Sequence, residues 1–257
     1  MTKKLFLGLL IPGLFLVLLT RSPANAASGE VITVAAASSF SFALTEIAED
    51  FSSARSNHPA VRLVFGSSGI LSRQIERGAP FDVFISANSV FMDELARSNS
   101  LRADSVRPFA RGRIVLAMLA SSGVDVTNPG ALSGGGIKKV AIANPLHAPY
   151  GRAAVEAMKS AGVWEEVRKK LVYGESVRQT LQFVESGNVD AAIIALSVAK
   201  REGIRAVPID AALHGPILQT AAVLRATTHQ KASEEFIQYL TGPQGMLVLE
   251  KYGYTSP

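Results

Sequence analysis

Residues 61–88 read VRLVFGSSGILSRQIERGAPFDVFISAN. Val61–Phe65 is an apolar, β-branched run of strand character, and Asp82–Ser86 is a second. Between them, Gly66, Ser67 and Ser68 end the first strand and open a helix. A strand, a helix and a strand in succession specify a β–α–β unit, whose neighbouring strands run parallel. The same alternation extends outward in both directions. Further strands are expected at Val31–Ala37, Arg113–Leu119, Lys139–Ala143, Leu171–Tyr173, Ala191–Ala195, Ile204–Ile209 and Ile217–Leu224. Helical spacing appears in Phe40, Leu44, Ile47 and Phe51, and in Val177, Thr180, Leu181 and Val184. Nine strands suffice for two α/β sheets. No fixed-period repeat and no low-complexity linker is present, so a chain with two lobes has to cross between them on ordered strands.

The chain has 257 residues, 48% of them apolar and 18% charged, with no cysteine. It is long enough to bury a substantial core. The absence of cysteine excludes a disulfide framework, a thiolate zinc site, an iron–sulfur cluster, a cysteine nucleophile and a lipid-modified cysteine. Lys3 and Lys4, the apolar run Leu5–Thr20 and the Ala24-Asn25-Ala26 box form a secretory signal pattern, with cleavage expected after Ala26. Loss of Lys3, Lys4 and Arg21 leaves 23 basic against 21 acidic residues, a net +2 in place of +5. The apparent basicity therefore belongs largely to the leader, and no case for nucleic-acid binding survives. No second apolar run is long enough to span a bilayer. An exported, soluble protein of the periplasm is the expectation.

Four strand-to-helix junctions share one design. Ser38 and Ser39 follow the strand ending at Ala37. Ser67 and Ser68 follow Phe65 and Gly66. Pro149, Tyr150 and Gly151 start a helix, as do Ser176 and Val177. A helix start carries free N–H groups and a partial positive charge, and so attracts anions without any lysine or arginine. In open α/β sheets such starts lie at the carboxyl edge of the strands, where ligands bind. Serine is also a favoured N-cap in any helix, so capping explains each junction taken alone. On the residues by themselves, the reading stops at an anion-binding, two-lobed protein.

The stretches ITVAAASS, FGSSGILSRQIERGAPFDVFISAN, IANPLHAPYGRAAVEAM, ESVRQTLQFVESGNVDAAI and YLTGPQGMLVLEKYGY resemble the periplasmic molybdate-binding proteins of ABC importers, across Val31 to Tyr254. The resemblance implies a type II periplasmic-binding-protein fold, α/β, with two lobes. Each lobe would be a mainly parallel sheet flanked by helices, with two strand crossovers as the hinge. Those crossovers are expected near Arg107–Gly112 and Leu224–Thr228. After the signal, residues 27–108 plus 229–257 form the expected first lobe and residues 109–228 the second.

The family grips a tetrahedral dianion with hydroxyls and backbone N–H groups, and the resemblance places four contacts. Ser38 and Ser68 supply hydroxyls, and Tyr150 and Val177 supply backbone N–H groups. Many members add a tyrosine hydroxyl where this chain has Ala195, and the Tyr150 phenol is the expected replacement. The implied ligand is molybdate or tungstate, with molybdenum held only as the oxyanion and without direct metal ligands or any cofactor. The implied partners are the permease and ATPase of the importer, served by a monomer that closes about its hinge.

Molybdate carries no proton at neutral pH, whereas phosphate does. A pocket made of donors alone leaves that proton unpaired, at a cost of about 1–3 kcal/mol. Sulfate has to be rejected by cavity size. Glu175, the one acceptor beside Val177, is expected to point outward.

Other polar residues carry less. His58, His147, His214 and His229 lack metal-ligand spacing, and His147 is expected at the rim. Trp164 reads as core. Arg73, Arg77, Arg152 and Arg178 read as facing solvent or lobe-surface partners. Arg168, Lys169 and Lys170 read as a solvated helix end. There is no G-x-S-x-G elbow, P-loop or G-x-G-x-x-G after a strand, so an enzyme is not expected. Two alternatives stay open. A binding protein for sulfate, thiosulfate or phosphate is separated by competition titration. A secreted serine hydrolase would turn over esters or phosphoesters and lose that activity on Ser38→Ala or Ser68→Ala.

Overall fold

The computed structural model describes residues 30–54 and 58–257. The expected signal at residues 1–26 lies outside the described residues. Among the described residues, no helix is long and apolar enough to cross a membrane.

Strands β1 (Val31–Ala37), β2 (Ala60–Gly66), β3 (Val83–Ser86) and β4 (Arg107–Gly112) build the first sheet with β10 (Ile217–Val223), in the order β2-β1-β3-β10-β4. Strands β5 (Ile114–Leu119), β6 (Val140–Ala143), β7 (Leu171–Gly174), β8 (Ala191–Ala195) and β9 (Ile204–Pro208) build the second, in the order β7-β6-β8-β5-β9. In each sheet, three strands linked by helices run parallel. The strands that carry the chain between sheets, β4, β5, β9 and β10, run antiparallel to the strands they pair with.

The chain leaves the first sheet at Gly112 and enters the second at Ile114. It returns between Pro208 and Ile217, ahead of the expected crossing near Leu224–Thr228. The second lobe expected over residues 109–228 takes in Phe109–Gly112 and Ile217–Leu224, but β4 pairs with β10 and β10 with β3, all within the first sheet. An apolar strand does not state in its own sequence which of two sheets it joins. The sequence marks β4 only as a crossover. Its arginines and Pro108 hide the strand pattern, and an edge position tolerates both.

Helices α1 (Ala43–Ala54), α2 (Ser68–Glu76), α3 (Val90–Arg97), α8 (Gln230–Thr241) and α9 (Pro243–Lys251) accompany the first sheet, and α4 (Pro149–Ser160), α5 (Trp164–Val167), α6 (Val177–Glu185) and α7 (Leu196–Ala199) the second. Periodicity explains which faces are buried. Helix α1 buries Leu44, Ile47 and Phe51, and α6 buries Val177, Thr180, Leu181 and Val184. Phe40 precedes α1 in a 3-10 turn, Ser38–Phe40. Its ring stacks on Tyr254 at 4.8 Å and 8°. The C-terminal segment is tied in by paired N–H···O bonds of 2.8 and 3.1 Å between Arg111 and Thr255. Trp164, expected in the core, is half-buried at its edge, with the Lys159 ammonium over its ring. Lys170 corrects the expectation of a solvated helix end. Its Nζ donates to the carbonyls of Leu132, Ser133, Gly134 and Ile137 at 2.9–3.2 Å.

Candidate anion-binding site

Strand register places the site. Ala37 lies opposite Gly66 across β1 and β2, and Ala36 opposite Ile85 across β1 and β3. Ser38, Ser67 and Ala87 therefore emerge together at one edge of the first sheet. In the second sheet, Ala143 lies opposite Gly174, so the loops leading into α4 and α6 also start side by side. The two edges face each other. Between them lies a small, tightly closed pocket lined by Ala37, Ser38, Ser39, Gly66, Ser67, Ser68, Ala87, Ala148, Pro149, Tyr150 and Val177. All four residues singled out for the oxyanion meet there, and no charged side chain lines it. Larger clefts exist elsewhere on the surface. One of them, lined by Glu175, Ser176, Arg178 and the α2 face, is the open groove beside this cavity.

The local structure of each junction follows from its residues. Pro149 occupies the first turn of α4, where its missing N–H costs nothing. Gly151 is required, because a Cβ there would overlap the Ala143 carbonyl oxygen. That close approach brings the Tyr150 amide onto the end of β6. Val177 begins α6, capped by Ser176, whose Oγ accepts from the Gln179 N–H at 3.3 Å. Here the capping explanation of serine holds. It does not hold for Ser67. That side chain makes no cap bond to its own helix, and its Oγ lies 2.7 Å from His147 Nδ1.

The two expected hydroxyl ligands share a geometry. Ser68 Oγ accepts the Ala87 N–H at 3.0 Å, and Ser38 Oγ accepts the Arg178 N–H at 3.4 Å. A hydroxyl that accepts from a backbone amide keeps its own proton to donate. Ser68 is fully buried and Ser38 nearly so. The first N–H groups of α2, α4 and α6 have no carbonyl within their own helices. Of these, the N–H groups of Ser68, Tyr150 and Val177 are not spent on a neighbouring loop or side chain, and with the two hydroxyls they make a surface of donors. Glu175 is exposed, as expected, and brings no acceptor into the cavity.

Tyr150 divides its roles. The residue lines the cavity, but its phenol does not replace the hydroxyl missing at Ala195. It runs to the crossover at Gly112, beside Gln219, Ser39 and Tyr254. Burial raises its pKa well above the usual tyrosine value, and burial likewise pushes Tyr254 up to about 12. Ser197, two residues beyond Ala195, instead donates to the Ser39 carbonyl at 2.8 Å and ties the sheets together.

Several contacts hold the two edges shut. The Gly69 N–H donates to the His147 carbonyl at 2.9 Å. Arg178 and Arg201 sit over the Phe42 ring at 4.5 and 5.2 Å, and Arg152 over Phe91 at 5.3 Å. These arginines serve the junction between the halves, while Arg73 and Arg77 are exposed. His147 is half-buried at the rim, and burial, then Arg73, holds its pKa below the ordinary value. Among the described residues, no cluster of histidine, aspartate or glutamate could hold a metal ion. Nothing in the sequence singles out Ala87 or Ala148 for the site. Both line the cavity through backbone placement, which leaves no signature in side-chain chemistry.

A model of the bacterial extracellular solute-binding proteins matches residues 32–255. The molybdate-binding protein ModA of Rhodobacter capsulatus is 34% identical over 232 residues, covering 90% of each chain. The ModA of Azotobacter vinelandii is 34% identical over 238 residues, covering 90% of this chain and 92% of that one. A solved periplasmic molybdate-binding protein of Azotobacter vinelandii superposes with a TM-score of 0.81 at 29% identity, covering 88% of this chain and 99% of the other.

Proposed function

This chain belongs to the bacterial extracellular solute-binding proteins, and from that premise we propose that it binds molybdate and delivers it to an ABC importer. Its relatives named for molybdate support the ligand class. The observation that carries the reading is a cavity lined by hydroxyls and helix-start N–H groups alone. Ser38 and Ser68 each accept a backbone N–H and so present their own protons, and no charged side chain lines the space. A fully ionised tetrahedral dianion satisfies such a surface. Monoprotonated phosphate leaves its O–H unpaired, at a cost of about 1–3 kcal/mol. Sulfate is the smaller guest in a cavity whose walls are fixed by packed backbone. Tungstate shares the charge and shape of molybdate and is accepted with it.

The contacts assigned to the anion are the hydroxyls of Ser38 and Ser68 and the backbone N–H groups of Tyr150 and Val177. Hydrogen bonds to a charged group contribute about 1.5–3 kcal/mol each, and nanomolar affinity needs about 12 kcal/mol. A handful of such bonds reaches that range without a buried arginine, once closure and immobilisation are set against them. Hinge motion at residues 112–114 and 208–217 opens and closes the two halves around the guest, and the closed form is presented to the permease. The protein acts after export and signal cleavage, in the periplasm, as a monomeric carrier with neither cofactor nor catalysis. Calorimetry of the mature protein with molybdate, tungstate, sulfate and phosphate in turn tests this. Binding of the first two alone is expected, and sulfate heat equal to molybdate heat overturns the specificity.

A further inference from the structure

Behind the anion cavity, at the first crossover, the hydroxyls of Ser39, Tyr150 and Tyr254 and the side-chain amide of Gln219 are buried beside one another. The Tyr150 phenol of this group lies against Gly112, with the Gln219 amide nitrogen beside it. A Cβ at that position would overlap the Tyr150 phenol oxygen and stand 3.0 Å from Gln219 Nε2. Gly112 does not adopt a positive φ. The backbone there would accept any residue, and only the phenol requires glycine. Tyr150 belongs to the half built on the second sheet, whereas Gln219 lies on β10 and Tyr254 at the end of the chain, both with the first. The phenol thus reaches across the hinge into a notch of the opposite half.

We propose that Tyr150 is a positioning residue that couples the anion to the hinge, its phenol seated in the notch left by Gly112 while its backbone N–H meets the anion. This deepens the oxyanion reading and rests on it. An anion pulling on the Tyr150 amide draws the start of α4 toward Ser38 and Ser68. The phenol, rigid and fully enclosed, fixes how far α4 approaches and at what angle. Closure is then registered at the residue that senses the guest. Ser39 lies at both ends of the device, lining the cavity and flanking the phenol.

The test uses the full mature chain as wild type, Gly112→Ala, Tyr150→Phe and the double variant. An alanine at an ordinary φ is normally harmless or stabilising. Here Gly112→Ala is expected to weaken molybdate binding tenfold or more, through faster dissociation. Its molybdate-saturated radius of gyration by small-angle scattering should exceed that of wild type. Tyr150→Phe removes the overlapping oxygen but leaves the ring Cζ 2.9 Å from the added Cβ, so the double variant should recover part of the lost affinity. Wild-type binding and compaction in Gly112→Ala overturns the proposal, as does an equal loss in both backgrounds. If Gly112→Ala alone fails to fold, Tyr150→Ala empties the notch and keeps the amide. Faster molybdate dissociation is expected from it, and an unchanged rate overturns the proposal. If wild type itself gives no heat with molybdate, the ligand reading fails on its own. The notch is then judged by melting temperatures of the four proteins. A loss at Gly112→Ala that shrinks in the Phe background supports the seat, and additive losses overturn it.

Discussion

Ser68→Ala is the sharpest single perturbation of the anion site. Ser68 is fully buried, lines the cavity and accepts the Ala87 N–H at 3.0 Å. That acceptance orients the hydroxyl so that its proton is left for the guest. Deleting a hydrogen bond to a charged group costs about 1.5–3 kcal/mol, which is about 10- to 150-fold in Kd. The same change strands the Ala87 N–H in a buried place, a further cost of about 1–3 kcal/mol to the folded protein. A fall of roughly 2–12 °C in Tm follows for a chain of this size. Calorimetric titration with molybdate reads the first effect and thermal melting without anion the second. Ser72→Ala is the control, since Ser72 is buried one turn further along α2 and does not line the cavity. An affinity for Ser68→Ala within twofold of wild type refutes the donor role. An equal loss in Ser72→Ala shows damage to the helix in place of a lost contact.

Lys170→Met removes the ammonium that gathers four carbonyls at the end of the 3-10 turn Pro129–Ser133. It should lower Tm by several degrees while leaving molybdate affinity unchanged, and an unchanged Tm refutes the role. The phenols of Tyr150 and Tyr254 are raised by burial above the ordinary value of 10, Tyr254 to about 12. Their stabilising contribution is whole below pH 10 and is lost as pH rises through the folded-state values. Phenolate absorbance of these two should therefore appear only with alkaline unfolding. His147 is depressed below its ordinary 6.5, first by burial and then by Arg73, against a smaller opposing effect of Glu175. Its contribution is present above pH 6.5 and is lost as pH falls through the folded-state value. The anion-free Tm should thus drop more on acidification in wild type than in His147→Asn, and parallel curves refute this.

The sequence alone determined the alternation of strands and helices, because hydrophobic period and turn residues are local properties of a chain. Helix α6 buries the four residues its spacing selects. The serine turns after β1 and β2 were legible for the same reason, and so was the absence of charge at their tips. What only tertiary structure decided is which sheet each strand joins and where each side chain points. Ile217–Val223 is as apolar as a strand of the second sheet, yet it pairs with β3 and β4. Tyr150 reads as a spare hydroxyl for the anion, yet its phenol turns to a notch that exists only because Gly112 lies opposite. Ser67 and Ser176 look alike as helix caps. Only the arrival of His147 from the other half separates the one that bridges the cleft from the one that caps its helix. These are contacts between residues far apart in the chain, and their partners are chosen by packing, which no local pattern encodes.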